Sequence, residues 1–142
     1  MSETAAATAA PAAARAPSAT FAFVKLIVRD LEAMVGFYEA ALGLTVSQTV
    51  DMPEMTEKIL RKSGAETGAM VILYHHKDGR EITLGNGWGP VGFYVRDVEA
   101  AYAHAIREGA SPHREPFDTG AMRVAFVLGP EGHEIELVSM KK

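Results

Sequence analysis

An internal repeat constrains the fold of this chain more than any other feature. Residues 28–33, VRDLEA, recur as residues 95–100, VRDVEA, 67 positions later. Each copy follows a stretch with alternating apolar side chains, residues 21–28 in the first half and 91–95 in the second. A repeat in the same local context indicates that one structural unit has been duplicated. We therefore expect two related modules.

Each copy of the repeat begins a predicted helix at an aspartate. The carboxylates of Asp30 and Asp97 can accept hydrogen bonds from the free backbone amides of a first helical turn. Gly43 and Gly109 provide an end to each helix, because glycine adopts the left-handed conformation at low cost. Apolar side chains recur between these limits at helical spacing, namely Leu31, Val35, Tyr38 and Leu42 in the first helix and Val98, Tyr102, Ala105 and Ile106 in the second.

Three strand-like segments follow each helix. They cover residues 44–50, 55–61 and 69–76 in the first half and 111–117, 122–128 and 133–140 in the second. A glycine-rich link, residues 85–90, joins the halves. The predicted fold is α+β, with two tandem βαβββ modules (about 21–78 and 89–142) that form a curled mixed sheet around a cleft, helices outside.

The first 20 residues are half alanine and carry no large apolar side chain after Met1. Such a segment cannot bury enough apolar surface to offset the entropy of ordering it, which predicts a disordered tail before a domain at residues 21–142. It also lacks the basic start and apolar core of a secretory signal, so we expect a cytoplasmic location.

The composition argues against several classes of protein. The chain has 14 basic and 18 acidic residues and a formal net charge of -4, which does not favour a nucleic-acid partner. It has no cysteine, so disulfides and thiolate sites are excluded. Its longest apolar run with large side chains, residues 69–74, is far shorter than the roughly 20 residues that span a bilayer, so no membrane partner is expected.

At the level of motifs the chain resembles the vicinal oxygen chelate superfamily. The resemblance rests on VRDLEAMVGFYEAALGL, VRDVEAAYAHAIREGA and GPEGHEIELV, and it covers residues 21–142. That superfamily includes glyoxalase I, extradiol dioxygenases, fosfomycin-resistance enzymes and bleomycin-binding resistance proteins. The segment ILYHHKDGREITLGNGWGPVGF is similar to the centre of glyoxalase I. The resemblance implies a homodimer, with modules packed side by side or exchanged between chains.

The resemblance also implies four positions for the ligands of a divalent metal ion. In this chain they are Phe23, Ile72, Pro90 and Glu136, so three of the four are apolar. One carboxylate does not hold a divalent ion tightly against water, and a catalytic site usually has about three protein ligands. The sequence therefore predicts no metal ion at the usual place and no other cofactor.

The candidate site residues come from the same comparison and from strand alternation. Phe23 and Lys25 share one face of the opening strand. The sequence does not decide which face of its strand Arg123 occupies. A cleft with these groups suits a flat, partly apolar anion. The predicted ligand-binding residues are Phe23, Lys25, Ile72, Tyr74, His76, Trp88, Tyr94, Arg123 and Glu136.

Two functions remain open at this point. The leading hypothesis is a metal-independent protein that binds a small, partly apolar organic molecule in the β-lined cleft. The alternative is a glyoxalase-like lyase or isomerase in which Glu136 acts as general base or as a remnant metal ligand, with Lys25 or Tyr94 stabilising an enolate-like anion. A purely structural partner module is weaker, because it would not need polar side chains in the cleft.

Overall fold

The computed structural model describes residues 17–141, and the secondary structure repeats one pattern twice. The elements are β1 (Phe23–Ile27), α1 (Leu31–Leu42), β2 (Leu44–Asp51), β3 (Met55–Lys62), β4 (Met70–His76), β5 (Val91–Tyr94), α2 (Val98–Arg107), β6 (Ser111–Thr119), β7 (Met122–Leu128) and β8 (Glu134–Met140). The order β-α-β-β-β occurs in each half. The prediction of an α+β fold made of two tandem βαβββ modules is confirmed.

The strands form two separate four-stranded sheets, one in each module. Their strand orders are β1-β4-β3-β2 and β5-β8-β7-β6. The β1–β4 and β5–β8 pairs are parallel and the other pairs are antiparallel, so both sheets are mixed. Because β1 and β5 stand first in these strand orders, each lies at one edge of its sheet.

The two helices begin at the predicted aspartates. The side chains of Asp30 and Asp97 each accept a hydrogen bond at 3.1 Å, from the backbone N–H of Ala33 and Ala100 respectively. Gly43 ends α1 in the left-handed conformation, at φ 69°, and its N–H donates to the carbonyl of Glu39. Local chemistry therefore determines where both helices start.

Because these two caps have the same geometry, Asp30→Ala and Asp97→Ala form a matched pair. Each variant should lower the free energy of unfolding by about 1 kcal/mol, since it removes the acceptor for one amide of the first turn. Asp→Ser at either position should retain most of the stability, because serine is also a good N-cap. Urea denaturation of the four variants measures this. A change below about 0.3 kcal/mol in both alanine variants would contradict a capping role.

Each sheet has a helix-covered face and an open face. Side chains on the two helix-covered faces, such as Leu26 and Leu73 in the first sheet and Ile135 and Leu137 in the second, belong to one buried cluster with the inward side of α1. The open faces carry the alternate residues of the same strands. The two modules therefore share one hydrophobic core.

Polar contacts also join the modules. The carboxylate of Glu131, in the turn between β7 and β8, accepts hydrogen bonds from the backbone N–H of Arg29 at 2.7 Å and of Asp30 at 2.8 Å. His133 Nε2 donates to the carbonyl of Ile27 at 3.1 Å, and His104 Nε2 donates to that of Ala40 at 2.8 Å. Side chains of the second module thus bind backbone groups of the first.

The predicted disordered tail falls mainly on residues 1–16, which lie outside the described residues. Residues 17–20 are exposed and belong to no helix or strand. Over residues 17–141, neither helix has the length and apolar character needed to cross a membrane.

Candidate functional site

A cavity of about 1390 Å³ is bordered by the edge strands β1 and β5 and by the link between the modules. It brings together five of the nine predicted ligand-binding residues, namely Phe23, Lys25, His76, Trp88 and Tyr94. Ile72, Tyr74, Arg123 and Glu136 do not line it. The cavity also has Pro90 in its wall.

Exposed aromatic side chains are the main apolar feature of this cavity. Trp88 is 86% exposed, Tyr94 is 84% exposed and Phe23 is 43% exposed. Phe21, just before β1, is exposed beside them in the same cavity. Single exposed apolar residues are common on protein surfaces, but several around one cavity indicate a surface that binds a ligand or another chain.

The open face of the first sheet groups the predicted residues of β1 and β4. Lys25 is in register with Ile72, and Ile27 with Tyr74, so their side chains share this face. The rings of Tyr74 and His76 meet edge to face with centroids 4.9 Å apart, which places His76 on the same side. Ile72 is buried beneath this face, which meets the cavity at Phe23, Lys25 and His76.

Glu57 on β3 is a polar residue of this face that sequence reasoning missed. It is in register with Tyr74, only 8% exposed, and its Oε1 lies 3.0 Å from Lys25 Nζ. The same ammonium lies 5.1 Å from the centroid of the Tyr74 ring and 5.7 Å from that of Phe23. A signal was available, since Glu57 falls in phase with Met55 and Ile59 on a strand, where an apolar residue is expected.

Glu136 lies on the open face of the second sheet, in register with Gly92 on β5 and Phe126 on β7. Its side chain is half-buried. Gly92 contributes no side chain, and the space where its Cβ would lie is empty to 4 Å. The carboxylate therefore has open space on the β5 side.

Arg123 lies on the other side of the second sheet, facing α2. Its Nε donates to Glu99 Oε2 at 2.7 Å, and its Nη1 donates to Asp118 Oδ1 at 2.9 Å. Hydrogen bonding to Arg123 holds the pKa of both carboxyl groups below their usual range. The structure thus places the Arg123 guanidinium against α2 and β6 and not in the wall of the cavity.

The residues present do not fit a metal ion at the four positions that the resemblance implies. Phe23, Ile72 and Pro90 offer no side-chain oxygen or nitrogen, which leaves Glu136 alone. Within residues 17–141, no cluster of three or more histidine, aspartate or glutamate side chains is arranged to hold an ion elsewhere.

His133 lines the cavity, and we expect it to make the stability of the protein depend on pH. Burial is the main cause that lowers the pKa of His133 in the folded state, although its hydrogen bond to Ile27 opposes this effect. The unfolded chain then binds a proton more readily than the folded one as the pH falls through about 6.5. Stability should therefore fall between pH 7.5 and 5.5, and it should fall less in His133→Gln. Equal losses in urea denaturation of the two proteins would contradict this assignment.

Sequence comparison identifies relatives over nearly the whole described chain. A family model described as the Glyoxalase/Bleomycin resistance protein/Dioxygenase superfamily matches residues 20–137. A lactoylglutathione lyase of Neisseria meningitidis is 32% identical over 120 residues, which cover 82% of this chain and 87% of that protein. A lactoylglutathione lyase of Salmonella typhimurium is 31% identical, with 82% and 89% of the two chains covered.

Solved structures show the same fold. Glyoxalase I of Zea mays superposes with a TM-score of 0.76 at 22% identity, over 86% of this chain but only 45% of the maize chain. This chain therefore spans about half the length of the maize protein. The trypanothione-dependent glyoxalase I of Leishmania major superposes with a TM-score of 0.75 at 23% identity, over 86% of this chain and 87% of that one.

Proposed function

This chain belongs to the glyoxalase/bleomycin resistance protein/dioxygenase superfamily, and on that premise we propose that it binds a small, partly apolar organic molecule without a metal ion at the usual position. The observation that carries the proposal is a cavity walled by exposed aromatic rings, with Phe23 and Pro90 where metal ligands are implied. Concave, largely apolar sites with few polar groups are typical of small-molecule binding.

The proposal includes a homodimer and a cytoplasmic location. Trp88 and Tyr94 are almost fully exposed in the single chain, and such aromatic surface is commonly covered in an interface. A second copy lying over the edges of β1 and β5 would cover these rings and narrow the cavity around the ligand. Sedimentation velocity of the wild type and of Trp88→Ala tests this part, because the variant should dimerise more weakly.

The second candidate function is a lyase or isomerase, which the lactoylglutathione lyases among the relatives favour. In that case Glu136, half-buried and beside the open space over Gly92, would accept a proton from carbon. Lys25 or Tyr94 would stabilise the resulting enolate-like anion by donating a hydrogen bond.

Metal content is the first test of the leading proposal. Protein purified without chelator and without a metal-affinity column should contain less than about 0.1 equivalent of Zn, Ni, Mn or Fe by mass spectrometry. The reason is that, of the four ligand positions implied by the resemblance, Glu136 alone has a side chain that binds metal. A stoichiometric ion that EDTA removes would overturn metal independence and would require ligands from another set of side chains.

Glu136→Gln separates the two candidate functions. Both this variant and the wild type are assayed for lactoylglutathione lyase activity, the reaction named for the relatives. Binding is measured by calorimetry with 2-naphthamide, a small, flat and mostly apolar organic molecule. Turnover in the wild type that falls at least about 100-fold in Glu136→Gln, with binding retained, would establish the enzyme. Absence of turnover in both proteins with binding in both supports the leading proposal. Glu134→Gln, on the same face, is the matched control.

A further inference from the structure

The open face of the first sheet carries a charge-balanced pair where the sequence suggested a lone cation. Resting on the proposed function, we propose that the ligand there is an uncharged aromatic molecule with a carbonyl or carboxamide group. Its ring would pack beside Phe23 and Tyr74, and its polar group would bind to the Lys25–Glu57 pair. This replaces the expectation of an anionic ligand.

Burial fixes the pairing of Glu57 with Lys25. Glu57 is 8% exposed and lies among apolar neighbours of the open face, including the buried Met55 and Ile72. A buried carboxylate needs a charged or hydrogen-bonding partner, and the Lys25 ammonium lies 3.0 Å from Oε1. That oxygen accepts no hydrogen bond from the residues that the structure describes, so Lys25 acts as its charged partner. The positive charge of Lys25 is therefore committed to neutralising Glu57.

The charges disfavour an ionic ligand of either sign. An anion that reaches the Lys25 ammonium also comes close to the Glu57 carboxylate, and the repulsion offsets the attraction. A cation meets Lys25 first, because the side chain of Lys25 is 36% exposed whereas that of Glu57 is 11% exposed. Arg123, the other cation that the sequence offered to this site, is bound to Glu99 on the far side of the second sheet.

The same pair is well suited to an uncharged polar group. An ammonium has three N–H donors, and Glu57 is the carboxylate within reach of Lys25, so donors remain for a carbonyl oxygen. The rings of Tyr74 and Phe23, with centroids 5.1 and 5.7 Å from Nζ, hold the ammonium in place and offer apolar surface to a flat ligand.

Two isosteric probes test the inference, namely 2-naphthamide, which is uncharged, and 2-naphthoate, which is an anion at pH 7.5. Calorimetry with the full-length protein should give at least about tenfold tighter binding of the amide. Glu57→Gln frees the charge of Lys25, so naphthoate affinity should rise about tenfold while amide affinity changes less than about threefold. Lys77→Met removes a lysine that is paired with Asp51 and does not line the cavity, and it should leave the ratio unchanged.

Two further variants show where the probes bind and whether the charged pair causes the preference. Phe23→Ala should weaken both probes, which locates them at this face. Lys25→Met/Glu57→Met replaces the pair by apolar side chains and should abolish the preference for the amide over naphthoate. This double variant also tests the inference if Glu57→Gln does not fold. The inference is overturned if the wild type binds naphthoate more tightly than the amide. It is also overturned if Glu57→Gln and Lys25→Met/Glu57→Met both leave the ratio of the two affinities unchanged. In either case, binding that weakens in Phe23→Ala still supports the proposed function. If the wild type binds neither probe, or if Phe23→Ala binds both as tightly as the wild type does, the inference and the proposed function are both overturned.

Discussion

Ile135→Ala is expected to lower the free energy of unfolding by about 3–4 kcal/mol, the largest effect of any single substitution considered. Ile135 on β8 is fully buried, with 0% exposure, in the core that the two modules share. Its Cδ1 and the ring of Phe37 on α1 both lie within 4 Å of the position that a Cβ on Gly129 would take. Removing three carbon atoms there leaves a cavity between the modules, where neither can collapse without moving the other.

The matched control is Met140→Ala on the same strand, where the side chain is 61% exposed. That change should cost less than about 0.5 kcal/mol, since little apolar surface is lost. Urea denaturation followed by circular dichroism measures both variants. Ile135→Ala should keep a single transition, because the rest of the shared core still joins the two halves. A loss below about 1 kcal/mol would show that the modules do not depend on this contact.

Glu131→Ala should lower the free energy of unfolding by about 3 kcal/mol, because each hydrogen bond to a charged group contributes roughly 1.5–3 kcal/mol. Its carboxylate accepts from two consecutive amides, Arg29 and Asp30, and its side chain is only 11% exposed. Both amides lie just before the first turn of α1, where a negative charge also interacts favourably with the helix dipole.

Glu131→Gln retains one acceptor oxygen and should lose roughly half as much stability as Glu131→Ala. Glu39→Ala removes an exposed carboxylate from α1 itself and should change the free energy of unfolding by less than about 0.5 kcal/mol. Differential scanning calorimetry of the three variants distinguishes these cases. Equal melting temperatures for Glu131→Ala and Glu39→Ala would show that the two amides find other partners.

The repeat made the fold predictable, because both halves follow the same local rules. Asp30 and Asp97 begin the helices through their own side chains, which involve contacts only three residues away. Alternation along β1 and β4 placed Lys25 and Tyr74 on one face, as observed. Information of this kind is local, and one sequence contains it.

The site was less predictable because its polar contacts join distant segments. The pairing of Lys25 with Glu57 depends on the register of β4 against β3, which alternation alone does not give. Arg123 could have faced either way, and its partner Glu99 lies 24 positions away on α2. Nothing near Glu131 in the sequence indicates that it binds amides about a hundred positions away.

The shared core and the polar junction have a consequence for the continuity of the chain. Residues 77–90, which include the glycine-rich link, connect two modules that already bury side chains against each other. Arg29 binds this connecting segment by donating to the carbonyl of Ile82 at 2.7 Å. The two modules thus contact each other in the way that two different subunits of a heterodimer do, although one polypeptide encodes both. A cut in the link would turn this fold into a two-fragment complex, whose assembly would then depend on concentration.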